Sequence, residues 1–183
     1  RSNPAFVSFT SKRFVYFSAL ALSAPILPLY LVREVGASDS QIGSINMIFT
    51  LVMLVGYFLW PWVSKRRGGR FVLLATTLGM VLYPALTATT RHVESIMIFA
   101  GVAGLFQSGL DLVFFDELLK TIPAGYSATF VSLAQSMQYL SIIIAPLVGT
   151  WLADSFGLGG ALLVSAGLRL LGFLLFLKAD KHK

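Results

Sequence analysis

The residues that could do chemistry in this chain are few, and most sit in apolar surroundings. Asp111 interrupts an apolar run that extends from Ser95 to Phe115. Arg169 lies inside the last apolar run, separated from Lys178 by eight apolar residues. A charge at such depth in hydrocarbon costs on the order of several kcal/mol, so it faces a bundle interior, a water-filled cavity or a partner. Asp111 reads either as a proton- or substrate-coupling group or as a structural ion pair or water-solvated carboxylate. Arg169 reads first as a long side chain snorkelling toward the interface. Gln107 precedes Asp111 by one helical turn on the same face and can donate an amide hydrogen bond to it. Ser132, Gln135, Ser136 and Tyr139 fall at i, i+3, i+4 and i+7, one polar helical stripe. Such a stripe bonds neighbouring helices or lines a polar cavity.

Enzyme chemistry has little to rest on. The sequence holds no nucleophile–histidine–acid set and no phosphate-binding glycine loop. Asp116 and Glu117 are adjacent, so on a helix they diverge by about 100° and form no working carboxylate pair. There are no cysteines, and the two histidines, His92 and His182, lie near segment ends. No catalytic activity, metal or cofactor is expected.

The elements that must carry these groups are membrane helices. Charged residues make up 12% of the 183-residue chain and mean hydropathy is +0.80, whereas an ordinary soluble domain is about 25% charged. Charges cut the sequence into uncharged runs long enough to cross about 30 Å of hydrocarbon as helices. Runs such as Ile142–Ile144 and Leu170–Leu177 do not alternate, which excludes a barrel. The expected architecture is all-α: one domain, residues 1–183, with six transmembrane helices near 13–34, 39–64, 70–90, 94–121, 127–154 and 158–178. Residues 121–126, with Pro123, Gly125 and Tyr126, read as a loop. The basic start followed by Phe14–Leu22 also resembles a signal peptide, against which the apolar run continues past Ala19 and Ala21 to Val32.

The net charge of +6 follows from membrane orientation rather than nucleic acid. The N-terminus, the second and fourth loops and the C-terminus together carry 11 basic residues, among them Lys65, Arg66, Arg67 and Arg70. The other loops carry only Arg33 and Arg91. The positive-inside rule then places both termini in the cytoplasm. Two packing stripes stand out: Ala100, Gly104 and Ser108, and Ala145, Gly149 and Ala153. Small residues at that spacing let helix backbones approach. Pro25, Pro28 and Pro146 favour kinks.

The segment Gly56–Arg70, reading Gly-Tyr-Phe-Leu-Trp-Pro-Trp-Val-Ser-Lys-Arg-Arg-Gly-Gly-Arg, resembles the signature loop of the major facilitator superfamily. That loop reads roughly Gly-x-Leu-Ala-Asp-Arg-x-Gly-Arg-Arg. Arg66, Gly68 and Arg70 match; Lys65 replaces the aspartate, Pro61 the first glycine and Gly69 an arginine. Gly36–Gly43 resembles the family's entry to its second helix, and Ala145–Gly149 with Leu152–Asp154 its fifth or eleventh. The family fold has two six-helix halves with the substrate site between them, and this chain resembles one of them. The polar tail and the lost aspartate favour the C-terminal half. The chain starts with Arg rather than Met and is expected to be part of something longer. The resemblance implies that the first and fourth helices line the cavity, which nominates Tyr16, Ser23, Tyr30, Gln107 and Asp111. Gln135 and Tyr139 join them from the polar stripe of the fifth. It also implies a cytoplasmic gate in which Asp116 meets Arg66 or Arg70 of the loop that Gly68 turns.

Two functions are open at this point. The chain is half of a secondary transporter for a small solute in the inner membrane. Its partners are then the bilayer and a second six-helix half, from the same chain, another subunit or a second copy. Alternatively it is a non-transporting scaffold or assembly subunit of a larger membrane complex, for example around pigment or redox proteins. The 15 phenylalanines suit either surface.

Overall fold

The computed structural model describes residues 4–123 and 127–177, and every regular element among them is helical. Five helical stretches are long and apolar enough to cross a membrane. The turn proposed around Gly125 and Tyr126, and the basic tail after Leu177, lie outside the described residues.

The first stretch begins at Pro4 rather than near residue 13. α1 spans Pro4–Leu22, and proline is tolerated in a first turn because that N–H has no helical partner anyway. Phe6 packs edge-on against Phe130 with centroids 4.7 Å apart, and Phe9 lies 6.2 Å from Phe114. Arg13, at the expected start of the first helix, is therefore about two and a half turns inside it. The helix breaks at Ser23–Pro25, where Pro25 has no N–H and the chain tightens into an Ala24 N to Ala21 O bond of 3.2 Å. α2, Ile26–Tyr30, continues the crossing into a π-helical turn over Leu31–Val35. Gly36 ends it at φ 70°, with the Ala37 N–H closing onto the Leu31 carbonyl at 2.9 Å.

α3, Asp39–Arg67, starts at a capping box: Ser38 accepts from the Gln41 N–H and the Gln41 side chain accepts from the Ser38 N–H. α4 is Gly69–Thr87 and α5 is Val93–Lys120. α6, Ser127–Leu177, runs 51 residues and is two helices joined across Gly157, whose φ 76° and ψ 165° are not helical. Only glycine takes that conformation readily. A straight helix of that length would reach about 76 Å, far beyond a bilayer. The two arms instead lie beside α1 in opposite directions. Gln138 and Ser141 meet Arg13 and Ser18, while Gly172 and Ser165 meet Tyr16 and Ala19. Pro146 stays within the first arm without breaking it.

Packing pairs α3 with α5, α5 with α4, α4 with α6 and α6 with α1. The small-residue stripes explain the closest contacts. A Cβ on Gly104 would drive into the Phe49 carbonyl of α3, and one on Gly149 into the Leu22 carbonyl of α1. With no hydrophobic drive between helices in lipid, such backbone approach supplies much of the association. Rings of Phe9, Tyr16, Phe114 and Phe176 fill the core near one end. Phe176 lies 6.1 Å from Phe9, and Arg70 reaches the Leu177 carbonyl at 3.3 Å. Both ends of the described chain and the α3–α4 turn thus share one end of the bundle. Large apolar side chains such as Phe58, Ile143, Leu147 and Trp151 stand outward, as a lipid solvent permits.

Arg169 does not snorkel. It is 4% exposed, Nη1 donates to the Met80 carbonyl at 2.7 Å and Nη2 to Ser23 Oγ. The physical reason is proline. Met80 lies four residues before Pro84, which has no N–H to give it, so the Met80 carbonyl is left over inside α4. Arg169 satisfies that carbonyl and holds the break in the first crossing through Ser23.

Candidate functional site

Four helices bring polar groups to one depth. Tyr57 on α3, Asp111 on α5, Arg13 on α1 and Gln138 on α6 each lie 9 to 11 residues from the helix end they share. At about 1.5 Å per residue that is about 14–17 Å, close to the middle of a bilayer. Asp111 is partly buried. It accepts from Gln107 Nε2 at 2.8 Å and from the Tyr57 hydroxyl at 3.0 Å, one donor to each carboxylate oxygen. The Gln107 contact follows from i, i+4 spacing; the Tyr57 contact follows from the close α3–α5 seam that Gly56 and Ser108 permit.

Arg13 is 8% exposed and attracts Asp111 across the gap between α1 and α5 without touching it. Its Nη2 donates to Gln138 Oε1 at 2.7 Å, and its guanidinium lies 5.0 Å over the Phe17 ring. Nε and Nη1 are buried with no partner among the described residues. The arrangement can hold a cation, a proton or a hydrogen-bonding solute at Asp111 and an acceptor group at Arg13.

The other nominated residues are placed differently. Tyr16 is fully buried in the aromatic core, its hydroxyl donating to the Thr77 carbonyl at 2.7 Å. Ser23 belongs to the Arg169 clamp. Tyr30 donates to the Thr90 carbonyl at 3.0 Å and ties the first crossing to the α4–α5 connection. Gln135 and Tyr139 lie on the exposed face of α6, with Ser132 and Ser136.

At the loop, the expected ion pair between Asp116 and Arg66 or Arg70 does not form among the described residues. Asp116 pairs with Lys120, at i+4 and 2.7 Å, and Glu117 pairs with the same lysine. Arg66 instead stacks on Trp62 at 4.0 Å, and Arg70 bonds the Leu177 carbonyl. Gly68, at φ 84° and ψ 155°, makes the reversal, and Gly69 lies against the Glu117–Lys120 pair.

Sequence reasoning missed Arg13, Tyr57 and Gln138. Arg13 is visible as a charge, but at the first residue of the expected 13–34 helix nothing marks it as lying deep in the bundle. Tyr57 and Gln138 carry no local signal, since each joins the cluster only through a helix distant in sequence.

The membrane-helical architecture agrees with a comparison of sequences. The family model described as Major Facilitator Superfamily matches residues 13–183. The chain belongs to the major facilitator superfamily. It is accordingly a multi-pass membrane protein. Among its relatives, Multidrug resistance protein MdtG of Serratia proteamaculans is 28% identical over 178 residues, covering 93% of this chain and 42% of that protein. MdtG of Rahnella sp. is 27% identical over 172 residues, covering 90% and 40%. MdtG of Enterobacter lignolyticus is 28% identical, also covering 90% and 40%. The chain thus spans about two fifths of the length of these superfamily relatives.

Proposed function

We propose that this chain is one six-helix half of a secondary active transporter that moves a small solute across the inner membrane by alternating access. In this reading the two arms of α6 are separate crossings, both described chain ends face the cytoplasm, and a second six-helix half rocks against this one. The relatives' name suggests drugs as the solutes of the whole protein. The observation that carries the reading is the cluster of Asp111, Tyr57, Gln107, Arg13 and Gln138. Four helices meet there near mid-membrane, with two arginine donors left unspent. Such groups are costly in a bilayer and are retained where a solute, an ion or a proton uses them.

The test is efflux. The full polypeptide is produced in a drug-sensitive bacterial strain, and drug accumulation is compared with Asp111→Asn and Arg13→Gln. Each variant is expected to lose about tenfold or more of the efflux rate, the value of one charge-assisted hydrogen bond, at unchanged membrane abundance. Efflux at the unmodified rate in Asp111→Asn would remove the carboxylate from the mechanism.

A further inference from the structure

We propose that the α3–α4 turn is a binding surface for an anionic phospholipid headgroup in the leaflet at that end of the bundle. The starting observation is charge without compensation. Two other exposed cations are paired with carboxylates, Arg91 with Glu34 at 3.3 Å and Lys120 with both Asp116 and Glu117; Arg33 stands alone among the described residues, whereas the turn gathers three cations together. Lys65, Arg66 and Arg67 are exposed and have no carboxylate partner among the described residues. The acids nearest the turn are already engaged by Lys120.

The second observation is how two of these cations are held. The Arg66 guanidinium lies over the Trp62 ring at 4.0 Å and that of Arg67 over the Phe71 ring at 5.0 Å. Both rings are themselves exposed, Trp62 at 51% and Phe71 at 40%. Stacking takes one face of each guanidinium and leaves its edge N–H groups free, in the fork that matches a phosphate. Tryptophan rings such as that of Trp62 sit at headgroup level in a bilayer. Two arginines fixed at that level, beside Lys65, complement an anionic headgroup by charge and by geometry. The third observation is a place for the chain of such a lipid. A cleft of about 180 Å³ lies at the same end, its walls mostly apolar (Trp60, Pro61, Val72, Leu112 and Val113), with Ser64, next to Lys65, and Asp116, held by Lys120, as its polar members. It accepts the first methylenes of an acyl chain.

The experiment places the full polypeptide in nanodiscs of phosphatidylcholine with a minor fraction of phosphatidylglycerol, and measures by native mass spectrometry the phosphatidylglycerol retained after release. Enrichment over phosphatidylcholine is expected. It should fall about fivefold in Arg66→Gln or Arg67→Gln and about thirtyfold in the double variant. Arg66→Lys and Trp62→Leu should fall between, since one keeps the charge without the fork and the other removes the shelf. Fluorescence of Trp62, taken as the difference between the parent and Trp62→Leu, should be quenched by brominated phosphatidylglycerol. Equal retention of both lipids, or unchanged enrichment in the double variant, overturns the proposal. So does absent quenching, which would mean that a protein segment covers Trp62. Displacement of the lipid by inorganic phosphate at matched concentration would assign the site to a soluble anion instead.

Discussion

Arg169 and Pro84 should be energetically coupled although they do not touch. Replacing Arg169 by Met removes two charge-assisted hydrogen bonds, to Met80 O and Ser23 Oγ, nominally about 3–6 kcal/mol together. It also removes a guanidinium whose Nε is buried without a partner, and that desolvation relief returns several kcal/mol. What the exchange cannot return is the Met80 carbonyl. With Arg169 gone and no N–H on Pro84, that carbonyl is buried and unsatisfied, at a cost of about 1–3 kcal/mol. Pro84→Ala supplies the missing N–H. In the Pro84→Ala background Arg169→Met should therefore cost about 1–3 kcal/mol less than alone. At about 2–4 °C per kcal/mol for a domain of this size, the difference is about 2–12 °C in melting temperature. Thermal unfolding of the four proteins of the cycle in one detergent measures it. Additivity within about 0.5 kcal/mol would refute the account of Arg169 as the partner of a proline-orphaned carbonyl.

Other perturbations follow from the same geometry. Gly104→Ala places a methyl against the Phe49 carbonyl and should destabilise by about 1–3 kcal/mol. Gly43→Ala, with open space around it, should be neutral or gain about 0.5–1 kcal/mol of helix propensity. Equal melting temperatures of these two variants would contradict the close α3–α5 seam. Gly157→Ala forces an L residue to φ 76° and should cost about 1–3 kcal/mol in the same melts, with Gly68→Ala behaving alike because its backbone is nearly the same. Tyr57→Phe removes one of two donors to Asp111 and should reduce efflux by the full polypeptide less than Asp111→Asn does; a larger loss would make the hydroxyl, not the carboxylate, the working group.

Much of the helical frame was legible because a bilayer imposes a simple rule: long uncharged runs must hydrogen-bond internally, so they are helices. The expected helices near 39–64, 70–90, 94–121 and 127–154 overlap α3 to α6 for that reason. The start of α1 was not legible, because Lys12 and Arg13 read as a boundary. The rule treats every cation as a flank. It has no means of seeing that Phe6 and Phe9 find Phe130 and Phe114 across the bundle and carry the helix back to Pro4. Small-residue stripes were legible as packing faces, since a four-residue spacing fixes a face; which carbonyl each glycine meets was not.

The site divides along the same line. Gln107 and Asp111 share one helix, so their contact follows from spacing. Tyr57, Arg13 and Gln138 complete the group only once α3, α1 and α6 pack, and no local pattern encodes that. The loop shows how a motif can mislead in detail. Arg66, Gly68 and Arg70 occupy the family positions, but Lys65 replaces the acid that would hold the arginines. Trp62, one turn before Arg66, then becomes its nearest partner, and Lys120 becomes that of Asp116. Where a motif loses one charged member, the remaining charges re-pair with whatever the helix periodicity puts within reach. In this chain that turns the loop cations outward, toward the end of the bundle where the aromatic rings are exposed.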